Sequence, residues 1–414
     1  MEQGFFQVIS VDEFLNRLRR FRPVERVQRL PIAEAAGRTL GLDITAEEDV
    51  PPFSRSCMDG YAVRAADTFG AGEFQPVYLQ AVQPVGMGSL PDFTLRPGQC
   101  SPIATGAALP EGADAVVMIE HTVDFGSGDI EIQRSLAPGD NVLLRGEDSR
   151  RGEVQLQAGV RLEAQQIGLL AALGRPEVTL VDCPRVGVIS TGDEIVPVES
   201  TPPPGCIRDI NSTTLSAWTR RSGGLPIGYG LVPDQPQALR ERLQEALGDC
   251  DCVFISGGSS VGTRDVTLEV LDGLAQESIL AHGVALSPGK PTILADIDGT
   301  PVFGLPGQVT SAQVVFFVLC QPFLRYLSGQ TRGYPHYLRP RLTARLSRNL
   351  PSTLGRDDYI RIKLTPTADG SLRADPLLGK SGLLNTLLQA DGLACIPSDT
   401  EGLDRGSLID VWLL

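Results

Sequence analysis

Lysine is scarce. The 414-residue chain contains only Lys290, Lys363 and Lys380, so nearly all of its positive charge is arginine. Genomic base composition accounts for that bias as well as any function does. The net charge of −14 argues against non-specific binding to nucleic acid or to an anionic membrane, because phosphate contacts need clustered Lys and Arg. An anionic substrate would need a local basic pocket. The three histidines, His121, His282 and His336, lie far apart, and the eight cysteines form no C-x-x-C pair. Zinc-ligand spacing is therefore missing, and His121 and His282 read as structural or incidental. The most apolar helical stretch, residues 314–319, is bounded by Gln313 and Gln321 and is too short to span a bilayer. The N-terminus lacks the basic-then-apolar layout of a signal peptide. Reduced thiols in a cytoplasmic protein are the expectation.

What is present is ordinary for a folded protein: 42% hydrophobic and 21% charged residues exclude global disorder. Glycine (45) and proline (31) make up close to a fifth of the chain without a fixed period, which implies many turns and short elements. Length alone suggests roughly three domains of about 150 residues.

Residues 11–21 read as an amphipathic helix with Phe14, Leu15, Leu18 and Phe21 on one face and Asp12 as a cap. A second helix is predicted over 31–37, ended by Gly37. Residues 74–144 show short strands between Gly and Pro, the pattern of a β-rich domain. Residues 162–173 return to helical spacing and are expected to pack on the N-terminal helices, which makes the β-rich segment an insertion. From Arg185 strands alternate with helices: strands at 186–190, 225–231 and 252–255, helices at 212–221, 236–247, from Asp265, and 310–327. Such alternation implies parallel pairing and a doubly wound sheet. After Gly333 a small C-terminal β domain is predicted.

In open α/β sheets ligands bind beyond the carboxyl ends of the strands. Three loops meet that rule: Ser190-Thr191-Gly192-Asp193-Glu194; Ser256-Gly257-Gly258-Ser259-Ser260-Val261-Gly262, followed by Asp265; and Gly304-Leu305-Pro306-Gly307, followed by Thr310 and Ser311. Glycines let backbone N–H groups approach a ligand closely, and the helix that follows the second loop offers unpaired donors. Together they suit a phosphate, with Asp265 able to hold Mg²⁺. A tight turn with a capping aspartate accounts for the same residues. Glu194 and Asp234 fall on neighbouring strand ends and could share the metal or its waters; solvated loop carboxylates are the alternative. Lys290 sits between prolines in Ser287-Pro288-Gly289-Lys290-Pro291. That stiff loop would fix a cation for an oxyanion, or form a plain surface turn.

The motifs taken in order resemble a known family. Pro51-Pro52-Phe53 with Met58-Asp59-Gly60-Tyr61-Ala62, Thr105-Gly106 with Gly112-Ala113-Asp114, Arg145-Gly146-Glu147-Asp148, and then the α/β loops and Pro288-Gly289-Lys290-Pro291, resemble the molybdopterin molybdenumtransferases (MoeA type), which include the E domain of gephyrin. The resemblance implies four units. These are a helical linker domain (1–50 plus 147–183), an inserted β-rich domain (51–146), an α/β molybdopterin-binding domain (184–331) and a C-terminal β-barrel (332–414). It also implies a homodimer whose active sites are shared between subunits. The implied reaction is Mg²⁺-dependent insertion of molybdate into adenylylated molybdopterin with release of AMP, in molybdenum cofactor biosynthesis. Molybdopterin adenylyltransferase and apo-molybdoenzymes are the expected protein contacts.

By the same resemblance Asp265 looks like the Mg²⁺ ligand, with Glu194 as a second ligand and Asp234 nearby, and Lys290 joins these three as catalytic. Gly257, Gly258 and Ser260 would face the pterin phosphate. Asp209, Asn211 and Ser212 look like nucleotide-side contacts. Pro288, Lys290, Pro291, Ser311, Arg361 and Ser381 would surround molybdate. Asp59, Thr105 and Asp148 would come from the partner subunit. This chain departs from the family at three places: Ser287 stands where lysine is frequent, Gln308-Val309-Thr310 replaces Asn-Pro-Val, and Ser259 replaces valine. The alternatives these departures leave are a tungstate-preferring variant and a non-catalytic molybdopterin-binding or scaffolding paralogue.

Overall fold

The computed structural model describes residues 8–257, 266–274, 278–337 and 339–414. It has the α/β multidomain architecture expected, with a doubly wound sheet, a linker unit, an inserted β-rich unit and a C-terminal β-barrel.

The doubly wound sheet has six strands in the order Leu225–Val232, Arg185–Thr191, Cys252–Ser256, Thr300–Leu305, Ile293–Ile297, Ile279–His282. The first four run parallel, and the last two are antiparallel additions at one edge. Cys252–Ser256 is buried throughout, as a continuous apolar run covered on both faces must be. Asn211–Arg221 and Val309–Val315 cover one face; Pro236–Asp249 and Val266–Asp272 cover the other. The helix predicted over 310–327 is three pieces: Val309–Val315, a π-turn Phe316–Cys320, and Gln321–Leu327. Pro322 lacks the N–H that a continuous α-helix would use, and the wider turn just before it absorbs the mismatch.

The N-terminal helix runs Val11–Arg17 and continues as a 3₁₀ turn to Arg20. Its cap is Ser10 rather than Asp12, because the Ser10 hydroxyl accepts the Glu13 N–H at 3.1 Å. The apolar face packs on the α/β unit: Phe14 stands 6.0 Å from Phe303, and Phe21 stands 5.9 Å from Phe323. This helix therefore belongs to the α/β core. The helix expected over 31–37 is a 3₁₀ turn, Ile32–Glu34. Pro31 instead ends a strand, Val27–Pro31, paired antiparallel with Glu177–Val181. That ribbon, the helix Ala164–Ala172 and the buried Leu40, Leu162, Leu170 and Leu180 form the linker unit.

The inserted unit is a six-stranded sheet in the order Ala115–Met118, Gly60–Val63, Gln99–Ile103, Val77–Ala81, Asp129–Ile132, Thr122–Asp124. In the C-terminal unit, Asp357–Pro366 pairs with both Leu372–Pro376 and Gly392–Ile396. Arg341–Leu346 and Leu408–Leu413 complete the ring and close a barrel. A short strand of the α/β unit, Leu286–Ser287, pairs with the start of Asp357–Pro366 and so ties barrel to sheet.

Candidate active site

The described parts of the three loops named from the sequence meet at the carboxyl ends of the parallel strands. On the first, the Thr191 hydroxyl donates to Asp234 Oδ1 at 2.6 Å, and the Asp234 N–H donates to Asp193 Oδ1 at 3.1 Å. Asp234 follows the neighbouring strand Leu225–Val232. Glu194 is exposed on the same loop as Asp193, so both carboxylates stand at adjacent strand ends. The second loop begins at Gly257, whose φ is +111°. A Cβ there would collide with the Thr191 carbonyl, so only glycine lets these two loops touch. Gly258, Ser260 and Asp265 lie outside the described residues.

Asn211 joins the second loop to the third. Its Nδ2 donates to Ser256 Oγ at 2.7 Å and to the Gly307 carbonyl at 2.8 Å. Asn211 is only 7% exposed, and its Oδ1 is buried without a partner. An unpaired buried acceptor costs about 1–3 kcal/mol, and a ligand N–H or O–H donor would remove that cost. The Ser190 hydroxyl donates to Asp209 Oδ1 at 3.2 Å, and the same oxygen accepts the Ser212 N–H at 3.1 Å. Asp209, Asn211 and Ser212 thus stand together at the start of the helix Asn211–Arg221.

The residues expected around an oxyanion line the seam between sheet and barrel. The Lys290 carbonyl accepts N–H groups from Val284 and Thr292, each at 2.9 Å, which fixes the Pro288-Gly289-Lys290-Pro291 turn. A Cβ on Gly289 would collide with Val315 and Leu286, so this turn packs at one end of Val309–Val315. Ser381 sits at the other end. Its carbonyl accepts the Thr310 N–H at 3.0 Å, and its hydroxyl donates to the Gln308 side chain. Ser311 is buried in the first turn of that helix. Arg361, 8% exposed, donates from Nη2 to the Gly379 carbonyl and from Nη1 to Thr386 Oγ1, each at 3.0 Å. Burial pulls its guanidinium below the ordinary arginine range, and its Nε is buried without a partner.

Asp59 and Thr105 form a separate cluster in the inserted unit. The Thr105 N–H and hydroxyl both donate to Asp59 Oδ1, at 2.7 and 2.9 Å. They hold the carboxyl below the usual aspartate range. Asp148 is exposed and is placed by its N–H donating to the Val50 carbonyl at 3.1 Å. Among the described residues no hydrogen bond or ion pair ties Asp59, Thr105 or Asp148 to the loops of the α/β sheet.

The loops were named from the sequence, but the roles of several of their residues were not anticipated. Ser256, Ser190 and Thr191 each end or nearly end a buried strand, and their hydroxyls anchor Asn211, Asp209 and Asp234. The readable signal was a hydroxyl residue at the last position of an apolar run. Thr310, named only as following the third loop, and Thr386, which carried no signal, hold the barrel loop. Among the described residues no three His, Cys, Asp or Glu side chains form a metal cluster. Mg²⁺ commonly takes only one or two carboxylates plus waters and phosphate oxygens, and the hard oxygen donors of Glu194 and Asp234 fit that demand.

Comparison with known proteins identifies the family. The description "MoeA N-terminal region (domain I and II)" matches residues 9–174, "Probable molybdopterin binding domain" matches 187–326, and "MoeA C-terminal region (domain IV)" matches 343–414. A molybdopterin molybdenumtransferase of Bacillus subtilis is 33% identical, with 98% of this chain and 94% of that protein covered. The chain belongs to the MoeA family. A Nostoc relative of the same name is 36% identical over 90% of this chain and 85% of its own. A MoeA crystal structure from Pyrococcus horikoshii superposes with a TM-score of 0.83 at 32% identity, covering 99% of this chain and all of that one. The three strand-end loops fall within the central MoeA match, Arg361 and Ser381 within the C-terminal one, and Asp59, Thr105 and Asp148 within the N-terminal one.

Proposed function

We propose that this chain is a molybdopterin molybdenumtransferase that inserts molybdate into adenylylated molybdopterin, with Mg²⁺, and releases AMP. The observation that carries the reading is the convergence of the three strand-end loops through Asn211, Ser256 and Gly307, with the barrel residue Ser381 seated on the third loop.

In this reading the turn at Gly257, with Gly258 and Ser260 beyond it, presents backbone N–H groups to the pterin phosphate. Asp209, Asn211 and Ser212 orient the nucleotide side, where the unpaired Asn211 Oδ1 accepts a ligand donor. Glu194, Asp234 and Asp265 would hold Mg²⁺, which when bound would neutralise charge on the phosphoryl oxygens. Lys290, Arg361, Ser311 and Ser381, with Pro288 and Pro291 shaping the wall, hold the tetrahedral oxyanion. Fixed cations and donors of this kind stabilise charge that develops as a phosphoryl bond breaks. Asp59, Thr105 and Asp148 belong to a shared site in a homodimer, where the partner subunit's copy of this cluster would close the pocket.

The test combines purified protein, adenylylated molybdopterin, Mg²⁺ and either molybdate or tungstate. AMP release, together with reconstitution of an apo-molybdoenzyme, supports the reading. Ser287 and Gln308 motivate a second reading, a non-catalytic pterin-binding or scaffolding dimer. That reading predicts pterin binding with no AMP released.

A further inference from the structure

We propose that Lys380 is an oxyanion-binding residue of this site, supplying a positive charge from the barrel side of the seam.

The chain has three lysines. Lys363 is neutralised by Asp391 at 2.9 Å. Lys290 lies in the turn that packs against Val315, at one end of Val309–Val315. Lys380 lies at the other end. It immediately precedes Ser381, whose carbonyl accepts the Thr310 N–H and whose hydroxyl donates to Gln308. The Lys380 backbone is fixed on its other side, because its carbonyl accepts the Leu383 N–H at 3.0 Å. Thr310 Oγ1 also donates to the Leu383 carbonyl, at 3.4 Å, and Arg361 holds Gly379. Gln308, Thr310 and Arg361 thus pin the segment that carries Lys380 beside the third loop.

Lys380 itself is exposed, and among the described residues it makes no ion pair. Its flexible four-carbon stem carries a compact charge. Two of the Arg361 nitrogens are already committed to protein acceptors, which leaves fewer of its donors for an oxyanion. In a chain of net charge −14, a dianion entering this seam meets general repulsion and needs a local cation to offset it. Among the described residues no carboxylate pairs with Lys380, and its backbone is locked beside the third loop.

This assignment rests on the transferase reading, and the experiment separates the two. The full chain is titrated calorimetrically with sodium molybdate at low ionic strength, as wild type, Lys380→Gln, Lys380→Arg and Lys363→Gln. Lys380→Gln is expected to weaken binding about fivefold, a gap that narrows in about 0.5 M salt as screening grows. Lys380→Arg and Lys363→Gln are expected to stay within about twofold of wild type. Unchanged affinity in Lys380→Gln, or no molybdate binding by the wild type, overturns the assignment. Turnover of adenylylated molybdopterin by the wild type is measured in parallel. If turnover occurs while Lys380→Gln binds normally, the lysine assignment fails and the transferase reading stands. If molybdate binding depends on Lys380 but no AMP appears, the transferase reading fails and the oxyanion site stands.

Discussion

The Asn211 side chain donates to the Gly307 carbonyl at 2.8 Å while also donating to Ser256 Oγ. One buried amide therefore ties the start of the helix Asn211–Arg221 to the ends of two parallel strands. Replacing it with alanine leaves the buried Ser256 hydroxyl and the Gly307 carbonyl without that donor. Asn211→Ala is expected to lower stability by about 1–3 kcal/mol, read from the denaturant midpoint, and to abolish pterin binding.

Gly257 offers a sharper test of how the loops meet. Its φ of +111° and the collision of any Cβ with the Thr191 carbonyl mean that alanine must move backbone against backbone. Gly205 has φ +91° but open space around it. Gly205→Ala is expected to cost about 1 kcal/mol and leave activity intact, whereas Gly257→Ala is expected to cost more than about 2 kcal/mol and remove activity. Thermal melts and turnover of the two variants check the contrast.

Much of this arrangement was readable in advance. Apolar runs such as Cys252–Ser256, each followed by glycines, announce parallel strands whose carboxyl ends carry the site. Sequence proximity could not show long-range partners. The helix carrying Phe14 was legible from its spacing, but its packing on Phe303 is a contact between distant parts of the chain. Pro31 suits the first turn of a helix as well as the end of a strand, and only pairing with Glu177 decides between them. The strands of the barrel were visible as alternating segments. Its closure was not, because that depends on Asp357–Pro366 pairing on both edges. The bonds from Ser381 to Gln308 and Thr310 likewise cross from barrel to sheet.

The Asp59 carboxyl gives a pH prediction. Hydrogen bonds from the Thr105 N–H and hydroxyl lower its pKa below the ordinary aspartate value. A lowered native pKa means the interaction is fully present above the unfolded-state pKa and is lost as pH falls through the native value. The cluster is thus expected to be intact at neutral pH and to loosen only in acid. Thr105→Val removes the hydroxyl donor and keeps the N–H, so the Asp59 pKa is expected to rise part of the way back. NMR titration of the Asp59 carboxyl carbon measures that rise directly.

Besides facing the oxyanion, Arg361 is predicted to act through the loop it holds. Arg361→Met keeps much of the apolar stem and removes the donors to Gly379 and Thr386. Amide exchange across residues 379–386 is expected to speed up by at least about tenfold, the equivalent of one lost charged hydrogen bond. Exchange in the barrel strand Gly392–Ile396 is expected to change little. Molybdate affinity should fall with it, since Ser381 and Lys380 ride on the same loop.

The most direct test of the account is AMP release from adenylylated molybdopterin, measured with and without Mg²⁺ for wild type, Asp265→Ala and Asp234→Asn. The account predicts Mg²⁺- and molybdate-dependent release by the wild type. It also predicts loss of at least about a hundredfold in Asp265→Ala and a smaller loss in Asp234→Asn, with the oligomeric state unchanged in both. Undiminished release by Asp265→Ala, or release indifferent to Mg²⁺, would contradict it.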